Sequence, residues 1–413
     1  MSRNNGLLSL PPELLLLIVE TGCLQHRDLL VLCLIRSFHD AAMRILYREF
    51  PRFGNLRSFL STILKTPRLA SHVRVVDIPY RCSIWTEDLP FYWNSITRMN
   101  CSDEVKSYWI RSLQLGDNEA FMAFVLAHLP KLRQLSINSP FDPQFYQYQE
   151  CNLELFTIFR VFSDLQVVSL QGLPYHARTL ALFLGVPSLQ KIHLSGTTER
   201  YPVEHVSKHE YSNVEEIVFE SIRMSFSSLI KIILSPKRLR RFTFYTPVDD
   251  RIVTRLSELF RALETFTDTL EELNLRYFQR VWNRPRTSCS LSNFKRLRSF
   301  TCDAAVFLDY FPSTLVSVFL PRSIERLHIH DIAADFMEKF NGDTSVRADL
   351  ASQTDGMPLF PQLHEVRLVY SVAARKADML RSYSCTERNI QFSLESKSAG
   401  IMAIDYEIME HGI

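Results

Sequence analysis

The chain has 413 residues, with 47 Lys and Arg against 45 Asp and Glu, for a formal net charge of +2. So balanced a charge predicts neither a nucleic-acid surface nor attachment to an anionic membrane. No apolar run approaches the roughly 18 residues that cross a bilayer, and the eight scattered cysteines contain no C-x-x-C pair. We therefore expect a globular protein of a reducing compartment, the cytoplasm or the nucleus.

Two apolar runs, residues 14–19 and 29–35, dominate the start of the chain. A helix that carries such a run is apolar on all sides and must be covered all round. A segment of about fifty residues buries too little of its own surface to do this alone, so part of the surface is predicted to serve a partner. Pro11 and Pro12 suit the opening of the first helix, and Asp28 is predicted to cap the second.

This arrangement resembles the F-box, the helical module that docks onto the Skp-family adaptor of cullin–RING ubiquitin ligases. The matching residues are Leu10-Pro11-x-Glu13-Leu14, Ile18, Arg27-Asp28-Leu29-Leu30-x-Leu32-Cys33-Leu34, Phe38 and Leu46-Tyr47-Arg48-Glu49. The continuation through Leu60 and Leu69-Ala70-x-His72-Val73-Arg74 resembles fungal members in particular. The family usually places a bulky residue such as Trp after a Cys-Arg pair, where this chain has Arg36-Ser37-Phe38.

The resemblance implies a set of adaptor-binding residues: Leu10, Pro11, Leu14, Ile18, Asp28, Leu29 and Leu32. Two other interpretations of the segment remain open. One is an ordinary pair of core helices. The other is a secretory or lipoprotein signal, which the short apolar run and Glu20 before Thr21-Gly22-Cys23 disfavour.

A six-residue pattern, apolar-x-x-apolar-x-apolar, governs the middle of the chain. It begins at Leu132, Leu165, Leu189, Val214, Leu239, Leu270, Leu297, Ile324 and Leu363, with a weaker copy at Val73. Between copies the apolar period changes from two to 3.6, as at Phe121, Phe124, Val125 and Leu129, which predicts one strand and one amphipathic helix per repeat.

The repeat resembles the leucine-rich repeat, in a degenerate form without an asparagine ladder. This implies an α/β solenoid with parallel strands on its concave side and helices on its convex side; an ordinary α/β fold is the alternative. The predicted domains are an F-box over 1–50, a linker, weak repeat and aromatic-rich insertion over 51–118, the solenoid over 119–372, and a cap or tail over 373–413.

Polar residues between the apolar positions of each strand should face outward. Their signs alternate from repeat to repeat, which favours a mixed protein surface as ligand. Arg and Tyr dominate protein interfaces, so the predicted target-binding residues are Arg241, Tyr245, Arg276 and Arg326, together with His328.

The aromatic-rich stretch 79–118, with Trp85, Trp93 and Trp109, is either an interface anchor or a lid packed on the first repeat. His205 and His209 have the spacing of two metal ligands but no third partner, so a loop is the preferred interpretation. No catalytic motif is recognisable, and we expect neither enzymatic activity nor a cofactor.

Together, the two resemblances imply a substrate receptor of a Skp–cullin–F-box ubiquitin ligase. Its expected partners are the adaptor, through it cullin and RING subunits, and an unidentified protein target. The alternatives are an interaction scaffold that never directs ubiquitination, and a hydrolase or transferase hidden in the repeats.

Overall fold

A computed structural model describes much of the chain, in two compact units that comprise residues 1–213 and 214–413. The described residues are 10–22, 24–50, 55–79, 89–98, 102–115, 118–138, 162–172, 174–176, 180, 183–201, 212–246, 256–277, 290–304, 306–307, 319–332, 350, 353–354, 357–371, 384–387 and 390–397. Among these residues no helix has the length and apolar character that crossing a membrane requires.

The first unit begins with short helices. They are α1 (Pro12–Thr21), α2 (His26–Cys33), α3 (His39–Leu46), α4 (Leu56–Lys65), α5 (Pro67–Ala70), α6 (Leu89–Thr97), α7 (Asp103–Gln114) and α8 (Asn118–Ala127). Pro12 opens α1, because a first-turn residue needs no N–H partner. The Asn55 side chain accepts from the Ser58 N–H and so caps α4.

Most strands of the first unit lie in copies of the six-residue pattern, here called sextets. The strands are β1 (Glu49–Phe50), β2 (Val75–Pro79), β3 (Gln134–Asn138), β4 (Val167–Gln171), β5 (Pro174–His176), β6 (Lys191–Ser195) and β7 (Thr198–Tyr201). Strands β1, β2, β3, β4 and β6 pair in that order, all parallel. Strands β5 and β7 form a separate parallel pair.

The second unit repeats the arrangement. Its strands are β8 (Glu216–Glu220), β9 (Arg241–Thr246), β10 (Glu272–Tyr277), β11 (Ser299–Asp303), β12 (Arg326–His330), β13 (Gln353–Thr354), β14 (Met357–Pro358), β15 (Glu365–Ser371), β16 (Ser384–Glu387) and β17 (Ile390–Lys397). Strands β8 to β12, then β15 and β17, pair in parallel, and β16 pairs antiparallel with β17. Its described α-helices are α9 (Phe226–Ile233) and α10 (Leu256–Leu263).

The predicted α/β class and the predicted strands are confirmed, since every sextet forms a strand that starts two residues after its first apolar position. Within each unit the strands align so that the apolar positions meet. Phe242, Leu273 and Phe300 are successive partners across β9, β10 and β11, and each is at most 1% exposed. This cross-strand contact buries side chains that one short strand would leave in water.

Several strands are followed by a residue whose backbone lies in the left-handed region of φ and ψ. Gly172, Gly196, Ser221 and Asp331 have positive φ values of 64°, 58°, 52° and 53°. Each immediately follows a strand, after β4, β6, β8 and β12 respectively. The residue that directly follows is buried, as Thr197, Ile222 and Ile332 show. A left-handed residue plus a buried side chain therefore stands where an asparagine ladder would otherwise hold the turn.

Part of the aromatic-rich stretch is packed inward, as in the lid interpretation, while Tyr108 is 43% exposed. Trp109 and Tyr92 are 1% and 2% exposed, and both rings contact Phe124 of α8, with centroids 5.8 and 5.4 Å apart. Trp85 lies outside the described residues. The same layer holds His128, whose Nδ1–H donates to the Phe124 carbonyl at 2.8 Å, while its Nε2 lies 2.8 Å from the Ser95 hydroxyl.

The His128 environment predicts a pH-dependent stability. Burial lowers the pKa of His128 from its ordinary value, against a weaker opposing effect of the Phe124 carbonyl. The unfolded chain therefore takes up a proton that the folded chain does not, so stability falls as pH drops below about 6.5 and stops falling below the folded pKa. Thermal unfolding at pH about 7.5 and about 5.5 should show a smaller pH effect in His128→Gln than in the wild type. His72 and His328 are present in both proteins and contribute equally to the pH dependence of stability. An unchanged pH effect in the variant would therefore show that His128 does not contribute to it.

Candidate interaction surfaces

The N-terminal helices α1, α2 and α3 close around a small apolar cluster. Its buried members are Leu15, Val19, Leu29, Phe38 and Ala41. Phe38 is 8% exposed, so it is part of the buried cluster. The cluster is too small to receive every apolar residue of the two runs, because one helix has only part of its circumference turned inward.

Seven large apolar side chains of this segment are left facing outward. They are Leu14, Leu17, Ile18, Leu30, Val31, Leu34 and Ile35, here called the apolar face. Leu34 is 86% exposed and Val31 is 60% exposed. Exposed leucines occur singly on most proteins, but seven within one three-helix segment exceed that background and indicate an interaction site.

The predicted adaptor-binding residues differ in how exposed they are. Leu14 and Ile18 belong to the apolar face, and Pro11 is exposed at the start of α1. Leu10 and Leu32 are half-buried against the cluster, and Leu29 is buried within it. These three residues hold the helices together, and Leu29 offers almost no surface to a partner.

The prediction that Asp28 caps α2 is wrong. The helix begins at His26 with Gln25 at the cap position, and Asp28 lies in the first turn. Its carboxylate accepts the Gln25 backbone N–H at 2.9 Å. Asp28 still stabilises the helix start, but from the third helical position, where a carboxylate can reach back to the cap N–H.

The second candidate surface is the polar side of the strands in the second unit. Cross-strand partners there form rows, and the first row reads Glu216, Arg241, Glu272, Ser299, Arg326 and Glu365. The arginines of this row pair with glutamates: Arg241 lies 2.8 Å from its neighbour Glu216, and Arg326 lies 3.8 Å from Glu272, two strands away. The arginine side chains are 44% and 42% exposed, so both remain accessible to a partner.

Arg276 is held much more tightly than the sequence led us to expect. Its Nε lies 3.4 Å from Asp303 Oδ1 and its Nη2 lies 3.9 Å from Asp331 Oδ2. The Arg276 and Asp303 side chains are only 16% and 3% exposed. The guanidinium carbon also lies 5.3 Å from the centre of the Tyr245 ring, within cation–π range. Arg276 therefore takes part in a mostly buried charge network, and it offers little accessible surface to a target.

His328 also contacts a neighbouring residue on the polar side of the strands. Its Nε2 lies 3.3 Å from Glu365 Oε1, and its side chain is 22% exposed. Burial lowers the pKa of His328, with Glu365 acting against it and Arg367 and Arg326 acting in the same direction as burial. Of the predicted target-binding set, Arg241 and Arg326 thus lie most open, while Tyr245, Arg276 and His328 sit among their neighbours.

The sequence also suggested a possible pair of metal ligands. His205 and His209 lie outside the described residues. Within the described part of the chain, no group of three or more His, Cys, Asp or Glu side chains could hold a metal ion.

Sequence reasoning missed two features of these surfaces. The first is the contribution of Leu17, Val31 and Ile35 to the apolar face, for which the length of each run was the only available signal. The second is the pair of carboxylates around Arg276, since Asp331 lies beyond the strand, in a turn that no glycine marks.

The Arg276 contacts predict a difference between two arginine substitutions. Arg276→Ala leaves the buried Asp303 carboxylate without its counter-charge, which should lower the free energy of unfolding by about 3 kcal/mol. The matched control Arg241→Ala breaks an exposed pair and should cost less than about 1 kcal/mol. Urea denaturation of the two variants measures the difference, and equal costs would show that Asp303 does not depend on Arg276.

No protein-family profile and no curated protein matches the chain. The function proposed below is therefore supported by the exposed apolar face and the repeated strands themselves.

Proposed function

We propose that the protein is the substrate-recognition subunit of a Skp–cullin–F-box ubiquitin ligase, and that the apolar face binds the Skp-family adaptor. The observation that carries the proposal is the exposure of Leu14, Leu17, Ile18, Leu30, Val31, Leu34 and Ile35 on α1, α2 and the turn that follows α2. Burying such a side chain stabilises a complex by roughly 1.5–3 kcal/mol. A partner with an apolar groove would therefore gain a large part of its affinity from a few of them.

We also propose that the repeats form a leucine-rich-repeat-like solenoid, with the strands on its concave side and the helices on its convex side. Support comes from the parallel in-register strands of each unit and from the amphipathic helices between them, such as α9, which buries Phe226, Leu229 and Ile233. A solenoid of this kind presents its strand face to a ligand. In the second unit that face carries the accessible Arg241 and Arg326.

The mechanism under this proposal is positioning. The helical segment fixes the receptor to the adaptor, and the strand face holds a target protein within reach of the charged ubiquitin-conjugating enzyme. The chain makes and breaks no bond itself; it raises the effective concentration of target lysines near the thioester. Such a receptor works in the cytoplasm or the nucleus, where the ligase is assembled.

The adaptor contact is tested with Leu14→Glu combined with Ile18→Glu. Both side chains are exposed, so the free energy of unfolding should change little. Loss of two apolar contacts and the burial of two charges should weaken binding to a purified Skp-family adaptor by about a hundredfold or more, as measured by calorimetric titration. The matched control is Leu115→Glu, which changes a 77% exposed leucine outside the apolar face and should leave the affinity unchanged. Full adaptor affinity in the double variant would contradict the proposal.

Engagement of the whole ligase is tested separately by purifying the tagged chain from cells. Cullin and RING subunits should accompany the adaptor, and the Leu14→Glu, Ile18→Glu variant should lose all three together. Recovery of the adaptor alone would instead favour the scaffold that never directs ubiquitination.

A further inference from the structure

Three arginines occupy neighbouring positions on the first strands of the first unit. Arg48, Arg74 and Arg133 each lie directly before β1, β2 and β3. The Arg74 N–H donates to the Arg48 carbonyl at 2.8 Å, and the Arg133 N–H donates to the Arg74 carbonyl at 2.8 Å. Since strands are spaced about 4.8 Å apart, the three residues form a row about 10 Å long, here called the arginine ladder.

At the equivalent position of the second unit, residues of opposite charge alternate from strand to strand. There the same backbone hydrogen bonds link Glu215, Arg240, Glu271, Arg298 and Glu325. The charges alternate, and Arg240 lies 3.4 Å from Glu215 while Arg298 lies 3.6 Å from Glu325. Opposite charges on neighbouring strands stabilise a sheet, and like charges destabilise it. The fold therefore has no need of three adjacent arginines, and a departure of this kind indicates a function.

Further positive groups surround the ladder. Burial lowers the pKa of His72, and Arg44, Arg68 and Arg74 lower it further, against a smaller effect of Asp40. Burial also lowers the pKa of Arg74, and so do Arg133 and Arg48, with Asp164 opposing them. Burial is the main cause of both shifts, and the neighbouring arginines add to it.

Arg74 is fixed in position within the ladder. Its Nη1 donates to the Ser71 carbonyl at 2.7 Å and to the Val73 carbonyl at 3.0 Å. In the described part of the chain, no ion pair involves Arg133. Arg133 interacts electrostatically with Asp164 but forms no ion pair with it. A cation held in place, next to one that forms no ion pair among the described residues, suits the capture of an anion better than the support of the sheet.

We propose that the arginine ladder, with Arg44, Arg68 and His72 beside it, docks a short acidic segment of a partner protein. Arginine forks bind carboxylates with two parallel hydrogen bonds, and a length of about 10 Å corresponds to roughly three residues of extended chain. Acidic residues flank the surface: Glu20 lies 3.5 Å from Arg48, Asp40 lies 3.2 Å from Arg68, and Asp164 lies 3.4 Å from Lys131. These carboxylates partly neutralise Arg48 and Arg68, and the net charge of the chain is only +2, so the positive surface is short and suits a short acidic peptide better than the continuing phosphates of a nucleic acid.

The test uses the full-length chain and a fluorescein-labelled peptide of consecutive glutamates, with a glutamine peptide of equal length as the uncharged reference. Fluorescence anisotropy should show binding of the glutamate peptide alone, weakening as salt rises toward about 0.15 M. Arg48→Gln with Arg133→Gln should weaken binding by at least about tenfold. The matched control, Arg240→Gln with Arg298→Gln, changes two arginines at the same repeat position and should bind as the wild type does.

Thermal unfolding separates a binding role from a structural one. Removal of like charges should leave the melting temperature of the ladder variant equal to or above that of the wild type, whereas a structural role would lower it. Equal loss of peptide binding in the ladder variant and its control would overturn the proposal. Equal binding of the glutamine peptide would also overturn it, and so would tighter binding of a labelled oligonucleotide than of the glutamate peptide. Adaptor binding through Leu14 and Ile18 is independent of this result.

Discussion

The structure depends on one constraint: a strand of five or six residues has too few apolar side chains to bury them without neighbours. Parallel strands in register solve this problem, because Phe242 meets Leu273 and Leu273 meets Phe300 from strand to strand. The side-chain period of a strand is two, so a slip by one residue would turn these apolar groups outward. The same constraint that fixes the apolar core also fixes which polar residues become neighbours on the other side of the sheet.

The sequence predicted the parts of the fold that follow from periodicity. Each sextet formed a strand, and the helix face at Phe121, Phe124 and Val125 is fully buried. Periodicity could not say which sides of α1 and α2 stay exposed, because both runs are apolar all round and only the packing of α3 decides. It also misplaced the start of α2, since an acidic residue is favourable both at the cap position and three residues later, where Asp28 accepts the Gln25 N–H.

The candidate sites were predicted less well than the fold, for a physical reason. Outward-facing polar residues can be read from alternation, but their accessibility depends on partners in adjacent repeats. Arg241 and Arg276 look alike in sequence, yet one is open and the other neutralises Asp303 inside the sheet. Asp331 reaches this network from a left-handed turn, where a short polar side chain tolerates the positive φ that usually requires glycine.

The apolar face has a consequence for the isolated chain. Seven large apolar side chains on one small helical segment are complementary to the same surface on another molecule, so the free protein should be poorly soluble at high concentration. Co-production with a partner that covers these side chains would then be a condition for handling the protein, and loss of that partner in a cell would expose the chain to the machinery that recognises misfolded proteins. If a partner covers these side chains, their exposure ties the lifetime of the protein to the supply of that partner.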